Sequence, residues 1–567
     1  MNEDLADTGS STSLLYLAAP GAIDPRAVIA TVARRRLPAV LEDVHSDVDG
    51  FSGYEPPHPA CAGRWPTVVA WDPVAECLVD PDSGEDGWRE LRRALRRTPR
   101  VLHARRSGGR TSTLDRASGT DVRGFSGGWI GFVTYDFATR SEGLRSRHAP
   151  LKVMPALCFH LYDTFAWFDR RTFGWTAVAV DWPPDSFPGR PSAAERLDSV
   201  LALLRDSTAR QGVGGQEEFT RGCKTLPEGS EPPLPHGCGS VPHDRLKPSD
   251  EGAAIRVPPP SQAPGLTATI RSSLDGAAYD ARVRRILDYI AAGDVYQVNL
   301  TRRFESVTDL SPDLLYLRLR ARNPAPYSAF LPRDGYAVLS ASPELFLDVH
   351  DRRVVTRPIK GTRPRGRNPA EDAALRADLN AGEKDRAELS MIVDLLRNDL
   401  GRVCEFGSIR VTSAGQLETH PTVHHRVATI EGRLREDVDV VDLLAATMPG
   451  GSVTGVPKIR AMQIIDELEP CPRGVYCGAI GFIGLDGRAS FNLAIRTMIH
   501  LGDRVHVHAG GGIVAESDPR AEYEETLAKA AGLLSALGGQ SGVAHDREHE
   551  SDGDGSKPST LSTRQYG

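Results

Sequence analysis

Apolar residues recur at helical spacing through the second half of the chain. Tyr279, Val283, Ile286 and Ile290 step by four, three and four, which predicts a helix that Gly293-Asp294 stops. Leu389, Ile392, Val393, Leu396, Leu400 and Val403 form the stripe of a second helix, near 384–403, and a third is expected over 457–468. The last helix, over 519–538, opens at Asp518 as N-cap and Pro519 as first helical residue, with Tyr523, Leu527, Ala530, Leu534 and Leu537 as its buried stripe. Between these lie strand-like runs. Residues 295–300 alternate, placing Val295, Gln297 and Asn299 on one face and Tyr296, Val298 and Leu300 on the other. YAVLSASPELFLDV, RVVTRPI, CGAIGFIGL, FNLAIRTMIH and RVHVHA predict further strands. Many strands interleaved with few long helices predict a large mixed α/β layered structure.

Composition divides the chain. All seven Trp fall before residue 183, in a stretch that mixes β-like runs (67–70, 159–168) with the glycine-rich FSGGWIGFVTYD. An N-terminal domain is expected over 12–205, preceded by a disordered N-terminus at 1–11. Over 206–268 Pro, Gly and Ser crowd out aliphatics, which predicts a disordered insertion or linker. The patterned segment 269–540 is the expected catalytic domain, and 541–567 a disordered tail.

Lys+Arg 68 against Asp+Glu 75 gives a net charge of −7 over 567 residues, where a nucleic-acid or membrane-surface protein would be more basic. No run reaches the roughly eighteen apolar residues of a spanning helix, and the acidic start does not suit a signal peptide. A cytoplasmic protein with no nucleic-acid or membrane partner is expected. The eight Cys show no Cys-x-x-Cys pair, so buried or free thiols are expected.

Several polar residues stand out against this pattern. Glu388 lies on the margin of its helix stripe, and Glu522 and Glu525, at i and i+3, share one face of the last helix. Taken as carboxylates without basic partners at helical spacing, they would be costly to hold in a cleft unless a cation joined them. An all-oxygen set suits Mg²⁺. Alternation along FNLAIRTMIH puts Asn492, Ala494 and Arg496 on one face. The segments Gly450–Lys458 and Ala509–Gly512 are glycine-rich loops that could present backbone N–H groups to an anion. With neither a P-loop nor a Gly-x-Gly-x-x-Gly turn in register, a small carboxylate is favoured over a nucleotide. Lys360 ends a β-branched run in Pro358-Ile359-Lys360-Gly361-Thr362. At the end of an interior strand it would be desolvated and available as a nucleophile or base. Ser342-Pro343-Glu344 interrupts another strand and could hold a carboxylate beside it. His424 and His425 are adjacent, so at most one of them would enter a common site.

GDVYQVNL, SASPELFL, RPIKGTRPRG, EKDRAELSMIVDLLRNDLGR, MPGGSVTGVPKIRAMQIIDELEP, RGVYCGAIGF, FNLAIRTM and HAGGGIVAESDPRAEYEETLAKA together resemble the chorismate-utilising enzyme family, in order across nearly all of 270–535. The resemblance implies an α+β fold, a two-sheet sandwich flanked by helices with an N-terminal domain joined to it. Within the family the position of Lys360 discriminates: anthranilate synthase large subunits typically have alanine there, and component I of aminodeoxychorismate synthase has lysine. Isochorismate and salicylate synthases carry a water-activating lysine where this chain has Gln297. The resemblance therefore points to 4-amino-4-deoxychorismate formation from chorismate and ammonia, towards p-aminobenzoate and folate. Anthranilate synthase component I, or another chorismate aminase of secondary metabolism, is the alternative.

Carried over by position, the resemblance makes Lys360 the nucleophile that adds to ring C2, Glu344 the general acid/base, and His425 a neighbour of the reacting end of the ring. Glu388, Glu522 and Glu525 match the Mg²⁺ site. Arg496 and the Gly510, Gly511 and Gly512 backbone match substrate-carboxylate contacts. Gly361, Thr362, Gly451, Ser452, Thr454 and Lys458 complete the expected substrate-binding set. The family's His-Leu-Val-Ser is here His425-Arg426-Val427-Ala428, so Arg426 is expected to bear on the surroundings of His425. Neutral ammonia is scarce near neutral pH, and no amidotransferase nucleophile segment is present, Cys223 and Cys238 falling in the Pro/Gly/Ser-rich stretch. A separate glutamine amidotransferase subunit, forming a heterodimer, is therefore expected.

Overall fold

The computed structural model describes residues 12–19, 23–44, 66–81, 86–100, 103–106, 110–113, 125–169, 174–183, 185–213 and 270–538. The expected disordered terminus and tail lie outside these residues, as do Cys223, Cys238 and most of the expected linker. The helix Ala193–Val213 continues past 205, where the N-terminal domain was expected to end.

The described strands build two large sheets, one of fourteen strands and one of ten. Their pairings are antiparallel apart from Ser13–Ala18 with His103–Arg106. Both parts of the chain contribute to each sheet. Ala39–Glu42 pairs with Tyr327–Arg333 in the larger, and Gly128–Val133 pairs with Ala479–Gly484 in the smaller. Close backbone approach explains the glycines of FSGGWIGF: a Cβ on Gly131 would lie 1.8 Å from the Cys158 carbonyl oxygen across the ladder.

Alternation along the strands separates two cores. In Tyr336–Ser342, Val338 joins one apolar cluster and Leu339 the other, as a side-chain period of two requires. The first cluster fills the space between the sheets, with Leu300 and Val338 from the larger meeting Leu347 and Phe482 from the smaller. The second covers the other face of the larger sheet, where Leu319 and Leu533 come from the helices Pro312–Arg322 and Pro519–Ala536. The result is a layered α+β sandwich of two packed sheets flanked by helices.

Most predicted elements are present with small shifts. Gly276–Ala291 buries Tyr279, Val283 and Ile286, and Glu383–Gly401 buries Leu389, Ile392, Val393, Leu396 and Leu400. The strand expected from Val295 begins at Gln297; Tyr296 is 70% exposed, while Gln297 and Asn299 are buried along with Val298 and Leu300. In the last helix Asp518 caps through the Ala521 N–H, as predicted, but the buried stripe is rotated. Glu522, Thr526, Ala530 and Leu533 are buried, while Tyr523, Leu527 and Leu534 are only partly covered. The rotation follows from Gly511, whose missing side chain leaves room for Glu522; a Cβ there would lie 2.9 Å from Glu522 Oε2.

Among the described residues no helix is long and apolar enough to cross a membrane. Cys77, Cys158, Cys404, Cys471 and Cys477 are free thiols, all but Cys471 buried.

Candidate active site

Two chain segments step between the sheets side by side. Ser342-Pro343-Glu344 leads from Tyr336–Ser342 in the larger sheet to Leu345–His350 in the smaller, and Ala494-Ile495-Arg496 returns from Ala489–Leu493 to Thr497–Leu501. FNLAIRTMIH is therefore two strands in different sheets, and the expected common face of Asn492, Ala494 and Arg496 does not exist. The break falls at Arg496, whose φ of 52° lies in the left-handed region that few non-glycine residues occupy. Three hydrogen bonds tie the crossings together: Ala341 N–H to Arg496 O at 3.0 Å, Leu493 N–H to Glu344 O at 3.1 Å, and Ser342 Oγ–H to Leu493 O at 2.6 Å. Glu344 and Arg496 are thus fixed by the architecture itself.

Lys360 lies in Ile359–Pro364, where the register against Val423–Arg433 shifts between Ile359 and Thr362. Gly361 has a φ of 87°, and a Cβ there would come within 2.9 Å of Asp385 Cγ, so glycine allows the strand to bend under the helix Glu383–Gly401. The Lys360 ammonium donates to the Ser452 carbonyl at 3.3 Å, and the Ser452 hydroxyl donates to Glu344 Oε1 at 2.7 Å. Lys360 and Glu344 therefore flank one residue. Burial pushes the Lys360 amine below its ordinary range; Glu388 opposes the shift and Lys529 adds to it. Burial raises the Glu344 carboxyl to about 7, against the Ser452 hydrogen bond and the charge of Lys360. An amine that gives up its proton readily, beside a carboxyl that is part-protonated near neutral pH, has the makings of a nucleophile and a general acid.

The carboxylates gather on the neighbouring surfaces, but they have basic partners. Lys529 Nζ lies 2.6 Å from Glu525 Oε1, and Lys384 Nζ lies 4.0 Å from Glu388 Oε1 and 3.8 Å from Glu522 Oε1. Both helical pairs have i,i+4 spacing, which corrects the expectation of unpaired acids. Burial raises the Glu388 carboxyl despite Lys360 and Lys384, and burial likewise raises that of Glu522. Burial acts upward on Glu525 too, but Lys529, Lys360 and Lys384 together hold it below its ordinary range.

Among the described residues no three His, Cys, Asp or Glu side chains converge as a ready-made metal-ligand set. The donors nevertheless suit a hard cation. Glu522 is buried and its Oε2 has no hydrogen-bond partner. A Cβ on Gly511 would lie 2.9 Å from that oxygen and 3.4 Å from Glu525 Oε1, which places both carboxylates over the same glycine. An orphaned, buried carboxylate oxygen beside a second carboxylate is a donor arrangement that fits a hard divalent cation.

The remaining expected residues divide. Arg496 makes no side-chain hydrogen bond or ion pair among the described residues, and burial disfavours its charge while Tyr476 and Glu525 favour it. Such an open guanidinium suits a carboxylate ligand. Gly510, Gly511 and Gly512 lie inside the strand Arg504–Ile513, paired with Thr301, Leu300 and Asn299. They make no loop nest; they clear space, Gly511 for the glutamates and Gly512 for the Gln297 amide, which a Cβ would approach to 2.2 Å. Gly451, Ser452 and Val453 form a buried turn, in which Gly451 lets Leu395 approach and the Thr454 hydroxyl donates to Gly450 O at 3.1 Å. Lys458 was expected near the substrate. Its ammonium is instead committed to Asp399 at 2.6 Å and to Thr447 O at 3.1 Å. The cause is its position at the start of Lys458–Leu468, facing the helix Glu383–Gly401, whose Asp399 is buried and needs a counter-ion.

His425 is buried with Nδ1 2.9 Å from the Thr362 hydroxyl, whereas His424 bonds Thr419 and Asp372, so the adjacent histidines do face opposite ways. Arg426 turns away from His425 and donates to Asn380 O at 3.0 Å, anchoring the end of the helix Pro369–Ala381. Lys384 and Lys529 were not singled out from sequence, although their i,i+4 spacing to Glu388 and Glu525 was the available signal. Lys529 also donates to Gly510 O at 2.9 Å, joining the last helix to the glycine strand.

The family model described as chorismate binding enzyme matches residues 58–535. The chain belongs to the chorismate-binding enzyme family. Anthranilate synthase component 1 of Streptomyces coelicolor is 39% identical over 414 residues, which are 73% of each chain. Aminodeoxychorismate synthase of Streptomyces griseus is 53% identical over 250 residues, 44% of this chain but 34% of that longer protein. Among solved structures, anthranilate synthase component I from Streptococcus pneumoniae superposes with a TM-score of 0.61 at 28% identity, covering 82% of this chain and 91% of that one. The sandwich is thus the family's fold, and the protein is an enzyme of this family.

Proposed function

We propose that the chain is component I of an aminodeoxychorismate synthase, converting chorismate and ammonia to 4-amino-4-deoxychorismate towards p-aminobenzoate and folate. The observation that carries this reading is the half-buried Lys360 amine, one residue removed from Glu344 through Ser452. In the first step the Lys360 amine adds to ring C2, C1=C2 shifts to C1=C6, C5=C6 shifts to C4=C5 and the C4–O bond breaks; Glu344 gives its proton to the departing hydroxyl, which leaves as water, and the new C2–nitrogen bond releases one proton in return. Ammonia then adds at C4, the double bonds shift back, and the Lys360 amine leaves C2. Arg496, whose guanidinium has no partner among the described residues, would bind and orient a substrate carboxylate. Glu388, Glu522 and Glu525 would hold Mg²⁺, which when bound supplies positive charge for the ring carboxylate.

The similarity to anthranilate synthase components favours a second reading, in which ammonia attacks C2 and pyruvate is lost. The two separate on product. Incubating the chain with chorismate and ammonium salt is expected to give aminodeoxychorismate with its enolpyruvyl ether intact; anthranilate with an equivalent of pyruvate would overturn the proposal. A glutamine amidotransferase subunit is the proposed source of ammonia in the complete enzyme.

Glu522→Gln is expected to weaken Mg²⁺ binding by at least the roughly 10- to 100-fold that loss of an outer-shell partner costs. Calorimetric titration with Mg²⁺ measures this; an unchanged affinity would remove Glu522 from the metal site.

A further inference from the structure

A cavity of about 180 Å³ lies apart from Lys360, Glu344 and the glutamates, between the helix Tyr135–Ser141, the segment 144–148 and the helix Lys458–Leu468. Its acidic groups are already engaged. Asp466 accepts from the Ser146 hydroxyl and the Arg147 N–H, Asp136 from the backbone N–H groups of Arg473 and Gly474, and Glu469 from Arg473 and Thr301. Its donors are open. Tyr135 is 4% exposed, yet its hydroxyl has no partner; His148 Nε2 is buried without one; and Arg145 makes no hydrogen bond or ion pair among the described residues. A buried hydroxyl left without a partner is destabilising, so its retention beside a cavity points to a ligand. Leu144, Met462 and Pro472 add an apolar wall.

From this we infer that the cavity is a binding site for a small cyclic carboxylate. Arg145, the Tyr135 hydroxyl and His148 as its Nε2–H tautomer would hold the carboxylate, and the apolar wall the ring. The size is suitable, since a cavity of about 150 Å³ takes a benzene ring. The site is also wired to the catalytic loop. Arg473, on its floor, donates to Val453 O at 2.9 Å and Asn299 O at 2.8 Å, and Val453 adjoins the Ser452 that bonds Glu344.

Benzoate is the probe, titrated calorimetrically into the full chain and into single variants. Binding is expected in the unaltered chain and, with the same dissociation constant within about twofold, in Arg496→Ala, which lacks the catalytic-site guanidinium. Arg145→Ala is expected to weaken binding about tenfold or more, the worth of a hydrogen bond between charged groups, and Tyr135→Phe severalfold. Arg145 is exposed and the Tyr135 hydroxyl is unpartnered, so both variants keep their folded contacts. Binding kept at full strength by Arg145→Ala and Tyr135→Phe, or lost by Arg496→Ala, overturns the inference, as does absence of binding to the unaltered chain.

Discussion

Lys360→Ala is expected to slow amination of chorismate by roughly three orders of magnitude or more, in the range that removal of an enzymic nucleophile produces. On the proposed reading this amine forms the bond to the ring, and the adjoining Ser452 cannot take its place, because it presents its carbonyl to Lys360 and its hydroxyl to Glu344. Folding is expected to survive. Burial already disfavours the Lys360 charge, so the substitution removes a desolvation cost along with a single hydrogen bond. Circular dichroism and thermal unfolding of the variant, alongside turnover with saturating ammonium, separate the two effects. A variant that folds and retains more than a tenth of the rate would show that amination does not pass through this amine.

Glu344→Gln is expected to lower the rate by about 10²- to 10⁴-fold, the usual worth of a positioned general acid. The amide keeps the acceptor for the Ser452 hydroxyl, so geometry is retained while the transferable proton is lost. The pH profile carries the sign. Burial holds the Glu344 carboxyl at about 7, so its acid form is present below that value and lost above it, and the rate should fall as pH rises through about 7. Lys360 acts in the opposite sense, because its amine must be deprotonated, which gives the profile an acidic limb. The lowered position of that amine moves this limb down and leaves a window in which both forms coexist. In Glu344→Gln the alkaline limb should vanish along with the rate. An alkaline limb that persists in the variant would assign it to another group.

How far the sequence specified this site depends on what fixes each residue. Glu388 was legible because a regular helix of 3.6 residues per turn projects it from a continuous apolar stripe. Asp518 and Pro519 marked the last helix start for local reasons of capping. Adjacent histidines in a strand must diverge, and His424 and His425 do. The common face of Arg496 with Asn492 and Ala494 was misread because period-two alternation assumes an unbroken strand, whereas here the chain changes sheets through a left-handed residue that no local pattern marks. The glycines at 510–512 looked like a loop because glycine is scarce in strands; their purpose is to admit the glutamates and Gln297, a tertiary requirement. Lys458 could not be separated from Lys384 and Lys529 by residue type. Only packing reveals that it neutralises Asp399, whose carboxyl burial raises to about 6.

The proposed role of Lys360 as nucleophile can be tested directly. Incubating the chain with chorismate in the absence of ammonia, quenching with acid, digesting and weighing the peptides should show the Lys360 peptide heavier by chorismate less one water, with the addition absent from Lys360→Ala and discharged when ammonium is supplied before the quench. An unmodified Lys360 peptide in protein that goes on to form product, or an addition carried by a different residue, would contradict the account.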